Sequence, residues 1–289
     1  MDLRSIVMGV CFAVMWSSAF TSARIIVAAA PPVSALALRF IISGILAVVI
    51  ARILGQTWRL TRPQWRACII LGICQNALYL GLYFVAMQTI EASLAAIIAS
   101  TMPLLVALAS WMFLGERLKP LALFGLFAGF TGVALVMGTR FSGGVDLYGL
   151  TLCIIGAAAL AVATLSVKGA TSGGNFMMVV GLQMLIGGAI LSVVAFATET
   201  LIVEWSWTLI AAFVWTLLVP GLGATLLWFK LVQRITATRA ATFHFLNPFL
   251  GVAIAAAVLG EALHPTDLIG VAIIMAGILA VQLSRRSKA

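Results

Sequence analysis

Asn76, Tyr79 and Tyr83 stand at i, i+3 and i+7 in the stretch CIILGICQNALYLGLYFVAM, which is otherwise apolar. At 3.6 residues per turn, an amide and two phenols share one helical stripe. Such groups gain little from lipid, but they can hydrogen-bond the polar parts of a solute or a neighbouring helix. Further along, RAATFHFLNP sets His244 and Asn247 at i, i+3. His244 is the one neutral-range titrating group inside an apolar run, and it fits a gate, a proton-sensitive site or a hydrogen-bonded packing histidine. The stretch MWSSAFTS puts Trp16, Ser17 and Ser18 in the middle of another apolar run. Their hydroxyls can bond the carbonyl one turn back or face a solute. Trp16 and Trp215 lie deep in their runs, whereas Trp58, Trp65, Trp111, Trp205, Trp207 and Trp228 fall near run ends, where an aromatic belt accounts for them. With Trp215, the residues named first are the candidate substrate contacts.

This is chemistry for binding rather than bond-making. The chain has two histidines, no Asp or Glu near the centre of an apolar run, and four cysteines (Cys11, Cys68, Cys74, Cys153) without metal-ligand spacing. A membrane-embedded transferase would need acids, histidines or ligands clustered at one depth. Neither metal nor cofactor is expected.

The elements that position these residues are membrane helices. The 289 residues are 63% hydrophobic and 9% charged, with mean hydropathy +1.19, against roughly 25% charged in soluble domains. Apolar runs broken by charges, Pro and Gly predict ten spans, near 5–28, 33–51, 67–87, 92–113, 120–138, 148–168, 176–197, 207–230, 239–258 and 267–284. The N-terminal MDLRSIVMGVCF and the AAA at 28–30 look like a signal peptide. The run between them is too long for one, and it reads as a retained first span. The net charge of +9 would point to nucleic acid in a soluble protein. Here its placement reports orientation instead, and no nucleic-acid partner is expected. With the N-terminus cytoplasmic, that side collects Arg4, Arg52, Arg59, Arg62, Arg66, Arg117, Lys119, Lys168, Lys230, Arg234, Arg239, Arg285, Arg286 and Lys288. The other side holds Arg24 and Arg140, and Arg39 lies within a span. The positive-inside rule therefore sets both termini in the cytoplasm.

A shift of 145 residues aligns 84–140 with 229–285 without a gap. Pro103 meets Pro248, Gly125 meets Gly270, Gly132 meets Gly277, and LGERLKP at 114–120 meets LGEALHP at 259–265. LRFIISG at 38–44 matches LQMLIGG at 182–188 with the shift one smaller. The chain is expected to be two five-helix repeats, 1–140 and 146–289. Five being odd, the second enters the membrane from the opposite side, so the fold class is all-α integral membrane with ten helices in two inverted-topology repeats. In each heptad glycine ends a helix and proline starts the next, so Glu116 and Glu261 mark matched corners on opposite faces. Pro103, Pro248 and Pro220, the last in VPGLGATLLW, predict bends or freed carbonyls at depth.

WSSAF in the first span, the LR pair at Leu38–Arg39 and the two LGE–L–P heptads resemble the EamA-type drug/metabolite transporter superfamily. The resemblance covers essentially the whole chain, and extends to bacterial exporters of aromatic and neutral amino acids. It implies a carrier in the bacterial inner membrane, binding a small-molecule substrate, with the lipid bilayer as its surroundings. It also implies a structural or gating role for Arg39. The expected function is export of amino acids or similar small amphipathic metabolites by alternating access. The lack of a mid-span carboxylate favours a facilitator over a proton-coupled exporter of drugs or other metabolites. A channel would need selectivity rings that this sequence lacks. The oligomeric state is open, and a monomer would suffice.

Overall fold

A computed structural model describes residues 2–115, 117–142, 144–166, 174–235, 240 and 242–286. Ten helices among them are long and apolar enough to cross a membrane. They are α1 (Leu3–Ala29), α2 (Pro32–Ile53), α3 (Arg62–Ala86), α4 (Ala92–Phe113), α5 (Pro120–Gly138), α6 (Leu147–Leu165), α7 (Phe176–Thr198), α8 (Trp207–Val232), α9 (Thr242–Leu259) and α10 (Pro265–Ser284). No strand occurs among the described residues. Only α3 begins well before its expected start, because Thr61 and Gln64 form a capping box ahead of the apolar run.

Glycine and proline terminate and interrupt the helices where the sequence places them. Gly115 and Gly260 adopt the left-handed conformation, at φ 64° and 70°, and close α4 and α9. Pro120 and Pro265 open the helices that follow. Pro103 lies at the start of the second α-helical segment of α4, after a break at Thr101. Pro248 does the same in α9, where a 3₁₀ turn, Thr242–Leu246, precedes the α-helix. Two wider turns interrupt the helices, one of them at the bend that Pro220 predicts. Leu71–Leu80 of α3 and Leu217–Gly223 of α8 are π-helical. In α8 the cause is plain, since Pro220 has no N–H to give the Thr216 carbonyl and its ring would collide with that carbonyl in a regular α-turn.

The chain forms two compact units. The first comprises Met1–Thr21, Thr89–Leu150 and Gly223–Ala289; the second comprises Ser22–Gln88 and Thr151–Leu222. In the first, α5 and α10 pack backbone to backbone. A methyl group added at Gly125 would stand 2.6 Å from the Gly277 carbonyl oxygen, and one at Gly132 2.8 Å from that of Gly270. Numbers rise along one helix as they fall along the other, so the pair is antiparallel. In the second unit α2 and α7 also run antiparallel. A methyl at Gly44 would lie 2.8 Å from Leu185 Cγ, and one at Gly188 would lie 3.1 Å from Ile41 Cγ1. Small residues allow such approach, which matters in lipid because burying apolar surface gives no driving force between helices there.

Carboxylates and amides hold helix starts. Glu199, just past α7, accepts from the N–H groups of Val33 (2.8 Å) and Ser34 (2.7 Å) and from the Ser34 hydroxyl (2.7 Å) at the start of α2. Gln56, just past α2, accepts from the Met178 N–H (3.0 Å) near the start of α7. Glu261 accepts from Ala92 (2.8 Å) and Ser93 (2.9 Å), so the corner after α9 caps α4. Glu116, the matching corner, lies outside the described residues. In the first unit Arg234 pairs with Asp2 (2.6 Å) and donates to Ser5 (3.1 Å).

Two expectations follow. Gly277→Ala forces a methyl against the Gly125 backbone and should destabilise by about 1–3 kcal/mol, lowering the thermal midpoint in detergent by several degrees. Gly138→Ala, where a methyl meets nothing within 4 Å, should leave the midpoint unchanged. The hydrogen bonds from Arg234 and Ser5 hold the Asp2 carboxyl below the usual carboxylate range. Its stabilisation is therefore complete above the unfolded value of about 3.9 and is lost as pH falls through the depressed folded value. The difference in midpoint between wild type and Asp2→Asn should be constant from about pH 5 to pH 8 and shrink below about pH 4.

Candidate functional site

The candidate residues fall into separate clusters, each inside one unit. In the first unit α1, α8 and α9 gather aromatic rings around His244. Phe12 meets the imidazole edge-on at 5.2 Å between centroids, Trp16 at 6.0 Å, and Trp228 tilted at 5.3 Å. Phe12 and Trp228 touch each other at 4.8 Å. Beneath them lies an apolar floor of Leu231, Ile235, Ala240 and Phe243. Gly9 makes room for the Phe243 ring, since a methyl group there would overlap it. The 3₁₀ turn at the start of α9 sets His244 three residues before Asn247, and the Asn247 amide nitrogen lies 3.0 Å from His244 Nδ1. With that amide donating, Nδ1 accepts and the ring is the neutral Nε2–H tautomer. The Asn247 carbonyl oxygen is buried with no hydrogen-bond partner. Phe12 is buried, while Trp16, Trp228 and His244 are half-buried, so the ring cluster has one open side. Ser17 and Ser18 are buried on α1. The Ser18 hydroxyl donates to the Met15 carbonyl (2.8 Å), and the Ser17 hydroxyl finds no partner.

In the second unit the π-helical stretch of α3 lies against α7. Asn76 is buried, and its Nδ2 donates to the Gln183 carbonyl at 2.9 Å. Gly187 admits the Asn76 side chain, because a Cβ there would overlap that of Asn76. The amide thus serves the α3–α7 contact. Tyr79 and Tyr83 are buried next to each other, ring centroids 4.7 Å apart and inclined by 61°. Gly156 of α6 makes the recess for Tyr83, since a methyl there would stand 2.9 Å from the ring. Trp215, deep in sequence, is 48% exposed on α8, one residue before Thr216, whose hydroxyl bonds the Ala212 carbonyl.

The same unit contains Arg39, buried at 6% exposure, beside Ser43 and Gly221. A methyl at Gly221 would lie 3.6 Å from Arg39 Nη2, 3.7 Å from Ser43 Oγ and 3.1 Å from the Thr216 carbonyl oxygen. The guanidinium carbon sits 5.1 Å from the Phe40 ring centroid, and the Tyr79 phenol is within its electrostatic reach. Sequence reasoning passed over Phe12 and Ser43 and assigned Trp228 to the aromatic belt. Phe12 stands one turn before Trp16, a spacing that could have flagged it. Trp228 resembled a belt residue because its span end was read without the turn that follows.

Among the described residues no group of three or more His, Cys, Asp or Glu could hold a metal. The arrangement offers aromatic surface, hydroxyls, an imidazole and a guanidinium, which are means of binding.

The family described as EamA-like transporter matches residues 3–138 and again 147–283. The uncharacterized transporter YvbV of Bacillus subtilis (strain 168) is 28% identical over 278 residues, covering 96% of this chain and 90% of YvbV. The uncharacterized inner membrane transporter YedA of Escherichia coli (strain K12) is 25% identical over 280 residues, covering 94% and 88%. One solved crystal structure shares the fold, with TM-score 0.69 and 22% identity over 100% of both chains. With ten membrane-length helices among its described residues and a family match over nearly its whole length, the chain belongs to the EamA-like transporter family.

Proposed function

We propose that the protein is an alternating-access carrier of amino acids or similarly small amphipathic metabolites, working as an exporter in a bacterial inner membrane. Both termini face the cytoplasm, and 1–140 and 146–289 are inverted halves. The observation that carries this reading is the pairing of repeat mates. The 145-residue shift turns Gly125 into Gly270 and Gly132 into Gly277. It therefore exchanges the Gly125–Gly277 contact with the Gly270–Gly132 contact. The contacts of Gly44 with Leu185 and Gly188 with Ile41 exchange in the same way under the shift of 144. Antiparallel mates joined by self-exchanging contacts are what a two-fold axis in the membrane plane requires.

The assignment of the other mates departs from that symmetry. Most of α1 belongs to the first compact unit, while its mate α6 belongs mostly to the second. All of α3 lies in the second unit, while its mate α8 is divided between the two.

Trp16, Ser17, Ser18, Tyr79, Trp215, His244 and Asn247 are the proposed substrate contacts. Asn76 and Tyr83 support them through the packing of α3. The acids lie near span ends, and no carboxylate relay runs through the span centres. Facilitated diffusion is the proposed mode.

Purified protein in proteoliposomes should show saturable uptake and counterflow of amino acids without a pH gradient. Strict dependence on a gradient would exclude the facilitator, and linear, unsaturable flux would indicate a channel. Trp16→Ala and Tyr79→Ala should each cut the transport rate at least tenfold at unchanged membrane expression. Normal transport by both would remove these residues from the substrate's path.

A further inference from the structure

We propose that Arg39 is the anchor for a carboxylate on the transported solute, so that the carrier selects free acids over their amides. This rests on the transport reading above and deepens it. A cation inside a membrane span is tolerated when an acid, a set of backbone carbonyls or a passing anion compensates it. Arg39 lies seven residues into α2, roughly 10 Å along its axis. Among the described residues it has no carboxylate within 4 Å, and its Nε is buried without a hydrogen-bond partner. The Phe40 ring at 5.1 Å offers a cation–π contact, worth only about 0.5–2 kcal/mol. That is small beside the several kcal/mol needed to bury an uncompensated charge.

Among the described residues, the acids of its own unit do not fill the gap. Glu199, the one nearest to α2, is engaged with three donors from Val33 and Ser34 at the helix start. What does surround Arg39 is a set of further donors. Ser43 sits one turn on, buried, with an unpartnered hydroxyl. Tyr79 is within electrostatic reach of the guanidinium. Gly221 supplies the room, since its missing side chain is directed toward Arg39 Nη2 at 3.6 Å and Ser43 Oγ at 3.7 Å. The π-helical turn forced by Pro220 places it there. A guanidinium fork with a hydroxyl beside it matches a carboxylate, whose two oxygens accept in parallel from arginine.

The test compares each of the twenty amino acids with its α-amide, as uptake into proteoliposomes and as affinity in detergent from intrinsic tryptophan fluorescence. The measured quantity is the acid-over-amide ratio within one preparation, which does not depend on the fraction of protein that is folded. Wild type should favour the acid at least tenfold for the amino acids it takes. Arg39→Gln should bring the ratio to about one. Arg39→Lys, a point charge without the fork, should lower it at least threefold without abolishing it, and Ser43→Ala should lower it more mildly. A wild-type ratio near one across the whole panel overturns the proposal. So does a ratio unchanged in Arg39→Lys and Ser43→Ala, whether or not Arg39→Gln folds. Acids that bind with an Arg39-dependent preference but never cross the membrane would refute the transport reading and leave the anchor standing.

Discussion

Helices in hydrocarbon have no apolar surface to hide from one another, so their association depends on how closely their backbones can approach. In this protein that approach happens at glycines. Gly125 with Gly277 and Gly132 with Gly270 bring α5 against α10, and Gly44 with Gly181 does the same for α2 and α7. Dispersion contacts between backbones at this range are many and directional, and a single added methyl removes the fit. The glycine pairs therefore set the frame on which the polar groups are held. Gly187 admits Asn76, Gly156 receives Tyr83, and Gly221 leaves space beside Arg39.

The same constraint governs the helix ends. An exposed N-terminal turn leaves N–H groups without carbonyl partners, and near a membrane they need acceptors supplied by the protein. Glu199, Gln56 and Glu261 each follow one helix and cap another within the same unit. Scarce charge is thus spent at corners. This explains why the acids cluster outside the span centres, and why a cation such as Arg39 finds no acid partner within its own unit.

Much of the architecture could be read from the chain because its signals are local. A run of apolar residues, a glycine that can take positive φ and a proline at a helix start each act within one turn, so the spans and both heptad corners are legible. The charge map and the 145-residue shift are equally open to inspection. The polar interior was less so. The stripe of Asn76, Tyr79 and Tyr83 assumes a regular helix with one free face, but α3 passes through a π-helical stretch and all three side chains are buried. Whether an amide faces a solute or Gln183 depends on Gly187, more than a hundred residues away, and no periodicity in α3 reports that. Trp228 went the other way. Its place near a span end matched an aromatic belt until the chain's return through a 3₁₀ turn laid His244 beside it.

The two π-helical stretches lie in α3 and α8, which are mates in the proposed repeat, yet they differ in origin. In α8 a proline and two glycines make the wide turn a consequence of sequence, whereas the π-helical stretch of α3 has no proline and carries polar side chains there instead. One mate thus provides side chains and the other provides backbone freedom with room beside it. A symmetric ancestor would offer the same chemistry twice, and a two-fold site made of two identical parts would suit a symmetric ligand. Amino acids are not symmetric. Under the proposed alternating access, a carrier for them would gain by letting its halves diverge at the mid-span level while the glycine contacts stay matched, because those contacts would serve both arrangements. In that proposal the halves diverge where a solute would be read, and the glycine pattern stays matched where helices would re-pack.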